Sequence, residues 1–468
     1  MRPLVKLYLF FLLAAVLAAG CAHYPVNQPL KHYDPEAGYR ARSMGTPGNS
    51  DELLLYLAFS GGGTRAAAFS YGALEELRDT HVKINGRERR LLDEIDGISG
   101  VSGGSFTAGY YGLFGDRIFK DFEAKFLKKN VNRALIAKIF FDPVNWFRLL
   151  SPTFDRSDLA AEYYNKHIFE GGTFGDIAKR KGPMILINAT DMVLGIRIAF
   201  TQDMFDVLCS DIADFPVARA VTASSAVPVL LSPITLKNYS NGCGFTPPEF
   251  VKRTLAEHET FSRGYHLLQN LKPYMDSKKT PNIHLVDGGV SDNLGLRAFL
   301  DREFAVGNLW EAFKAANKKG VHKIVFIVVN AETEVNRKWS LFDKPPIISA
   351  MLKSYSSIAI TRYNYETLLL LRESFKRWAE EVQKGRCGNG PVSVEPGACG
   401  DIKFYLVEVK FDALPDKDER QYFKQMPTSF KLSEEQEERL KDAAHRILKG
   451  SPEFQRLLRD LDEDSQHN

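Results

Sequence analysis

Gly97-Ile98-Ser99-Gly100-Val101-Ser102-Gly103-Gly104-Ser105 is the stretch on which the fold turns. Ahead of it, Leu91-Leu92-Asp93-Glu94-Ile95-Asp96 reads as a strand or the approach to one. Behind it, Phe106-Thr107-Ala108-Gly109-Tyr110-Tyr111 reads as the opening of a helix. Within it, Gly100-Val101-Ser102-Gly103-Gly104 fits G-x-S-x-G, the sharp strand-to-helix turn that exposes a serine hydroxyl. Glycine flanks such a serine because its backbone is strained and its neighbours are crowded. The turn also sets Ser102 at a helix N-terminus, where the dipole and unpaired N–H groups favour the negative charge that acyl transfer creates. Standing alone, the same letters also describe a Gly/Ser-rich connector, and two further stretches decide between the two.

The first lies upstream. Leu53-Leu54-Leu55-Tyr56-Leu57-Ala58-Phe59-Ser60 is a continuous apolar run of strand length, as expected for a strand covered on both faces of a parallel sheet. It enters Gly61-Gly62-Gly63-Thr64-Arg65 and then a helical stretch from Ala66 to Leu77. Strand, glycine loop and helix in that order present backbone N–H groups to an anion. The loop lacks the Gly-Lys-Ser/Thr of a phosphate loop and the spacing of a dinucleotide fingerprint. An oxyanion hole of glycine amides, with Arg65 just beyond, is what remains.

The second lies downstream. Asn282-Ile283-His284-Leu285-Val286 reads as a strand ending in Asp287-Gly288-Gly289-Val290-Ser291-Asp292-Asn293. Open α/β sheets place reactive groups at the C-terminal tips of strands, and Asp287 is within reach of a general-base role toward Ser102. Asp292 is the competing carboxylate. Met184 to Asp191 is a further strand with a hairpin partner from Arg197 to Thr201, and Val321 to Asn330 is another buried one. Val217 to Val227 is a helix of small residues ended by Pro228, in which Ser224 and Ser225 read as packing and capping residues. Thr235 to Thr280, a polar excursion carrying Cys243, reads as an insertion and a lid. A long helix from about Ile347 to Lys384, a strand from Ile402 to Val409 and a helix from Phe430 to Leu448 follow. The last begins with Ser433 as N-cap and Gln436 completing a capping box. The polar tail from Asp460 reads as frayed.

The 468 residues suffice for one large domain with insertions or for two, and 44% hydrophobic with 25% charged residues is ordinary for a protein with a substantial core. A net charge of +3 gives no reason to expect nucleic acid, so any membrane affinity must be local. The N-terminus supplies a local feature. Met1 to Lys6 is basic, and Leu7 to Ala19 is apolar but shorter than the roughly 20 residues of a membrane span. Leu17-Ala18-Ala19-Gly20-Cys21 resembles a bacterial lipobox, with Ala18 where leucine is usual, so residues 1–20 read as a signal peptide and Cys21 as the lipidated residue. Residues 21–50, rich in proline and glycine, read as a tether. Of the other cysteines, Cys387 and Cys399 flank a Gly/Pro-rich loop and form one expected disulfide, leaving Cys209 with Cys243 as the other. Phe140, Phe141, Trp146 and Phe147, beside Lys138 and Arg148, fit a membrane-facing surface or lid, but an aromatic stripe at helical spacing is more often core. No C-x-x-C, clustered histidines or calcium-loop pattern is present, so neither a metal nor a cofactor is expected.

With Gly61-Gly62-Gly63-Thr64-Arg65, Gly100-Val101-Ser102-Gly103-Gly104, Ala223-Ser224-Ser225-Ala226-Val227-Pro228 and Asp287-Gly288-Gly289 in that order, the chain resembles the patatin-like phospholipases over roughly residues 53–330. The resemblance implies a three-layer α/β/α fold with a mostly parallel central sheet and helical insertions, as one catalytic domain over residues 51–468. The insertions are expected near 235–280 and 331–400, and the final strand and helix over 401–450. It implies Ser102 as nucleophile, Asp287 as base, and oxyanion N–H groups from Gly61, Gly62 and Gly63 in a loop supported by Arg65. The implied activity is hydrolysis of phospholipid or other lipid esters through an acyl-enzyme. Acyl transfer to another acceptor, or a non-catalytic lipid-binding lipoprotein, are the alternatives. No histidine sits in a motif; His322, the best placed, precedes its strand. With Ala22 after Cys21, the expected location is the cell envelope of a bacterium, anchored to the outer membrane and facing the periplasm.

Overall fold

Strands that are apolar on both faces must be covered on both sides, and a layered architecture follows. The computed structural model describes residues 22–467 apart from 85, 228–230, 317, 319, 335–339, 342, 344–346 and 389–401. Among the described residues, eight strands build the central sheet. They are β1 (Leu53–Phe59), β2 (Ile95–Val101), β3 (Met184–Asp191), β4 (Arg197–Ala199), β5 (Ile234–Lys237), β6 (Asn282–Asp287), β7 (Lys323–Asn330) and β8 (Lys403–Lys410). Their order is β8-β7-β1-β2-β3-β6-β5, with β4 paired to β3. From β8 to β3 every pairing is parallel, while β4, β6 and β5 add antiparallel pairs.

Side chains divide between two cores with the period of two that a strand imposes. Leu55, Leu57 and Phe59 of β1 join Val325, Ile327, Val329, Val407 and Val409 on one face. Tyr56 and Ala58 join Ile324, Phe326 and Val328 on the other. The helices that concern the site and its surroundings are α1 (Thr64–Asp79), α2 (Gly103–Phe114), α3 (Val131–Phe140), α4 (Pro143–Arg148), α5 (Arg156–His167), α6 (Val217–Ser224), α7 (Arg297–Val306), α8 (Leu309–Ala316), α9 (Ile348–Cys387), α10 (Glu434–Gly450) and α11 (Pro452–His467). Residues of α1, α2, α6 and α10 fill the first core, and residues of α7, α8 and α9 fill the second, so the fold is a three-layer α/β/α sandwich.

Four expectations are corrected. Leu91–Glu94 is a 3-10 turn and the strand begins at Ile95, so the glycine-rich stretch itself is β2. Its neighbours β1 and β3 supply the ladder that glycines do not favour on their own. The polar excursion after Thr235 starts as β5, an edge strand on β6. The tail is helical to His467, because Phe454, Leu457 and Leu461 recur at helical spacing and are buried.

Residues 22–50 are no loose tether. Gln28–Pro29 pairs with Ser210–Asp211, the Tyr39 hydroxyl donates to the Ile185 carbonyl (3.1 Å), and buried Arg40 bonds Asp203 and Asp206 at 2.6 Å each. A disulfide joins Cys209 to Cys243, with Cα atoms 5.5 Å apart. Cys387 is also disulfide-bonded, while Cys399, its expected partner, lies outside the described residues together with Cys21 and Pro228.

Candidate active site

Two strand ends meet head to head. β2 pairs with Met184–Asn188 of β3, and β6 pairs in the opposite direction with Ala189–Asp191 of that strand. The C-terminal ends of β2 and β6 therefore converge at Asn188. The fit leaves no room for a side chain at Gly288, where a Cβ would lie 2.2 Å from the Asn188 carbonyl oxygen and 3.2 Å from Val101. Convergence sets the first residue past β2 against the last residue of β6, and the Ser102 Oγ donates to Asp287 Oδ2 at 2.8 Å. Asp287 ends its strand as expected, although that strand runs antiparallel to β3 and is not one of the parallel tips.

Ser102 has φ 49° and ψ −119°, a backbone conformation that costs a non-glycine residue about 1–3 kcal/mol. Its surroundings hold it there. Its N–H donates to Ser224 Oγ (2.9 Å), and that hydroxyl donates to the Asn188 carbonyl (2.6 Å). Ser105 Oγ donates to the Ser102 carbonyl (2.5 Å). The next residue, Gly103, is pressed against the upstream glycine loop, since a Cβ there would fall 1.9 Å from the Gly63 carbonyl oxygen. Ser102 also sits at the N-terminus of α2, whose partial positive charge faces the hydroxyl's neighbourhood.

Both side chains of this hydrogen-bonded pair are shielded from bulk water, Ser102 at 4% and Asp287 at 9% relative exposure. Burial pushes the Asp287 carboxyl up to about 6, opposed by hydrogen bonds from the Gly289 N–H (2.8 Å) and the Ser102 hydroxyl. Thr190 Oγ1 donates to the Asp287 carbonyl (2.9 Å) and fixes the strand end. Asp292 is buried and also pushed up to about 6 by desolvation. Its Oδ2, however, accepts the Arg297 N–H (2.8 Å), and no hydrogen bond joins it to Ser102. Geometry thus separates the two aspartates where the sequence left them as competitors. No histidine bonds either dyad residue among the described residues.

The glycine loop lies against this pair. Gly61 was expected to offer an oxyanion donor, but its N–H donates to the Asn293 carbonyl (3.0 Å) and is already used. The Gly62 and Gly63 N–H groups have no hydrogen-bond partner among the described residues. Arg65 is fully buried; its guanidinium donates to the carbonyls of Ala331 (3.0 Å) and Met426 (2.7 Å) and lies 3.4 Å from Thr428 Oγ1. Burial without a carboxylate lowers its pKa to about 10. It ties the loop to the segments after β7 and before α10.

Asn293 and Thr190 escaped the sequence reading. Asn293 Oδ1 would lie 2.6 Å from a Cβ on Gly61 and 3.1 Å from one on Gly289, so it stands between the loop and the dyad turn. Its place six residues after Asp287 was the available signal. Thr190 had none, because its role comes from the register of β6 on β3. A cavity of about 1400 Å³ opens elsewhere, lined by Leu54, Tyr56, Leu186, Phe250, Phe299 and Phe304 on the second face of the sheet; neither Ser102 nor Asp287 lines it.

No curated protein matches the sequence. Among solved structures, human GIVD cytosolic phospholipase A2 is similar with a TM-score of 0.43 and 11% identity, covering 89% of this chain and 63% of that one. The same human protein in complex with methyl gamma-linolenyl fluorophosphonate gives 0.39 and 12%, covering 89% and 60%. This chain thus spans about three fifths of their length. Residues 57–300 match the family described as patatin-like phospholipase, over just more than half of the chain. That span holds the glycine loop, the serine turn and the aspartate that ends β6, and the chain belongs to the patatin-like phospholipase family.

Proposed function

We propose that the protein is a membrane-anchored serine lipid acyl hydrolase of the phospholipase A or lysophospholipase type, working through a Ser102–Asp287 dyad. The observation that carries this reading is the 2.8 Å hydrogen bond from Ser102 Oγ to Asp287 Oδ2, made by a strained serine at a helix N-terminus. In the first half-reaction Ser102 Oγ attacks the ester carbonyl while Asp287 takes the hydroxyl proton. The amides of Gly62 and Gly63 receive the oxyanion of the tetrahedral intermediate. Asp287 returns the proton to the departing alcohol oxygen, leaving the acyl group on Ser102. In the second half-reaction water attacks the acyl-enzyme, Asp287 accepts its proton, and fatty acid leaves as Ser102 recovers the proton. Lipid on Cys21 would hold the enzyme on a bilayer, the outer membrane by the residue that follows it.

The test is fatty-acid release from mixed phospholipid vesicles by the full chain, beside Ser102→Ala and Asp287→Asn. Release by the wild type, reduced roughly 10³-fold or more by each substitution with the fold intact, is expected. Release that survives Ser102→Ala overturns the mechanism. Acyl esters in place of free fatty acid would assign the second half-reaction to another acceptor.

A further inference from the structure

Helices α3 and α4 leave a concentration of large apolar side chains in water. Phe140, Phe141, Val144, Trp146, Phe147 and Leu150 are all exposed, Phe141 at 81% and Trp146 at 51%. Contiguous exposed patches of this kind mark interaction surfaces, since an isolated soluble domain gains nothing by showing them. The patch is flanked by cations. Lys129, Arg133 and Lys138 have no ion-pair partner among the described residues, whereas Lys128 and Arg148 pair with Glu123 and Glu162. The pKa of nearby His167 is lowered by burial and further by Lys166, Lys138 and Lys129, as a net positive field requires. Aromatic side chains beside unpaired cations suit the headgroup region of an anionic bilayer, where rings sit at the interface and cations meet lipid phosphates.

The chain itself indicates where that bilayer lies. Ala22 directly follows Cys21, and its carbonyl accepts hydrogen bonds from Ser151 Oγ (2.6 Å) and Thr153 Oγ1 (3.2 Å). The Tyr24 N–H donates to the Thr153 carbonyl (2.7 Å). Residue 22 is therefore fastened immediately after Leu150, at the end of the apolar patch. A lipid attached ahead of residue 22 would start from the Ser151–Thr153 turn that follows Leu150. The patch also connects to the site. The Val131 N–H, which opens α3, donates to the Phe430 carbonyl (3.1 Å), and the Thr64 N–H, which closes the glycine loop, donates to the adjacent Ser429 carbonyl (2.9 Å).

We infer that α3 and α4 form a bilayer-docking face, specific for anionic phospholipid, that lies on the membrane beside the Cys21 anchor and holds the glycine-loop end of the sheet at the lipid surface. The inference rests on the anchor read for Cys21 and not on catalysis by Ser102, so it is tested on protein that cannot consume lipid. Full chain carrying Ser102→Ala is reconstituted into phosphatidylethanolamine–phosphatidylglycerol vesicles, with and without bromine on the acyl chains. The same chain with Trp146→Phe isolates the Trp146 fluorescence by difference. Trp146 emission shifted to the blue and quenched several-fold by brominated chains is expected. Each neutralisation, Lys129→Gln, Arg133→Gln or Lys138→Gln, should weaken partitioning to these vesicles about fivefold, and much less with phosphatidylglycerol omitted. Trp146 emission unaffected by bromine overturns the docking face, as does a Trp146 already shielded from aqueous iodide before vesicles are added, which would mean a second copy or another protein covers the patch. Equal loss of partitioning with and without phosphatidylglycerol overturns the anionic specificity. Failure of fatty-acid release by the unsubstituted chain would leave each of these readouts standing and would count against the hydrolase alone.

Discussion

A carboxylate that takes the Ser102 proton has to be ionised, and its burial works against ionisation. Asp287 holds its proton up to about pH 6 in the folded protein, chiefly through desolvation. In the unfolded chain an aspartate gives it up near about 3.9. Between those values the folded state binds more protons, so its stability falls as pH rises and stays lower above the upper value. Activity must move the other way, rising with pH through an apparent pKa near 6 in kcat/KM. Asp287→Asn should therefore lose activity by roughly 10³–10⁴-fold while gaining stability above that pH, on the order of 3 kcal/mol. The gain should vanish in acid, where the wild-type aspartate is itself neutral. Urea unfolding of both proteins across the pH range checks the sign, and a variant less stable than wild type at neutral pH would refute this account of the site. Asp292, desolvated in the same way, remains in both proteins and cancels in the difference.

At the scale of elements, the site depends on how closely the loop after β1 approaches the turn after β2. Gly103→Ala would thrust a methyl group to within 1.9 Å of the Gly63 carbonyl, and both segments are held by their strands. The expected result is a loss of at least about 1–3 kcal/mol from overpacking. Activity and labelling of Ser102 by a serine-reactive probe should fall together, although both dyad residues remain. Labelling at the wild-type rate would show that the loop does not set the site. Elements with a strong local signal were readable before the structure. β1 is apolar throughout, β7 is apolar from Ile324 to Val329 and β3 opens on the apolar Met184–Ile187, and the Ser433–Gln436 capping box marks the start of α10 in letters and in hydrogen bonds alike. The extent of β2 is not legible in its letters, because its glycines have no strand preference and its ladder comes from neighbours distant in sequence. The direction of β6 leaves no local trace, so Asp287 was found by its Asp-Gly-Gly letters while the strand geometry that delivers it was not. Helix α11 did have a trace, Phe454, Leu457 and Leu461 at helical spacing, which its polar composition masked.

Across the whole molecule, the disulfide bears on how the N-terminal segment is coupled to the body that carries Ser102 and Asp287. Cys209 and Cys243 are 34 residues apart, and closing a loop of that length removes roughly 4 kcal/mol of unfolded-state entropy. Both cysteines also hold the N-terminal segment, for the Cys209 carbonyl accepts the Leu30 N–H (2.7 Å) and the Cys243 carbonyl accepts the Tyr33 N–H (2.9 Å). A few residues on, Arg40 is pinned by Asp203 and Asp206, on the chain that leads into Cys209. Replacing both cysteines by serine should thus act in two ways. Global stability should fall by about 2–4 kcal/mol. Locally, the strip from residue 28 to 33 should lose its clamp while the buried strands β1 and β7 keep theirs, because their ladders owe nothing to the disulfide. Hydrogen exchange by mass spectrometry separates the two effects. Exchange at Leu30 and Tyr33 that accelerates well ahead of β1 and β7 is the expected pattern, and a uniform rise across the chain would mean the bond stabilises the protein without gripping its N-terminal segment. A gripped segment keeps residue 22 seated on Ser151 and Thr153, just past the end of the apolar patch. Released, it would become the loose tether that its proline- and glycine-rich letters suggest, and, on the docking face proposed above, Trp146 in the doubly substituted protein should be quenched less by brominated chains than in the wild type.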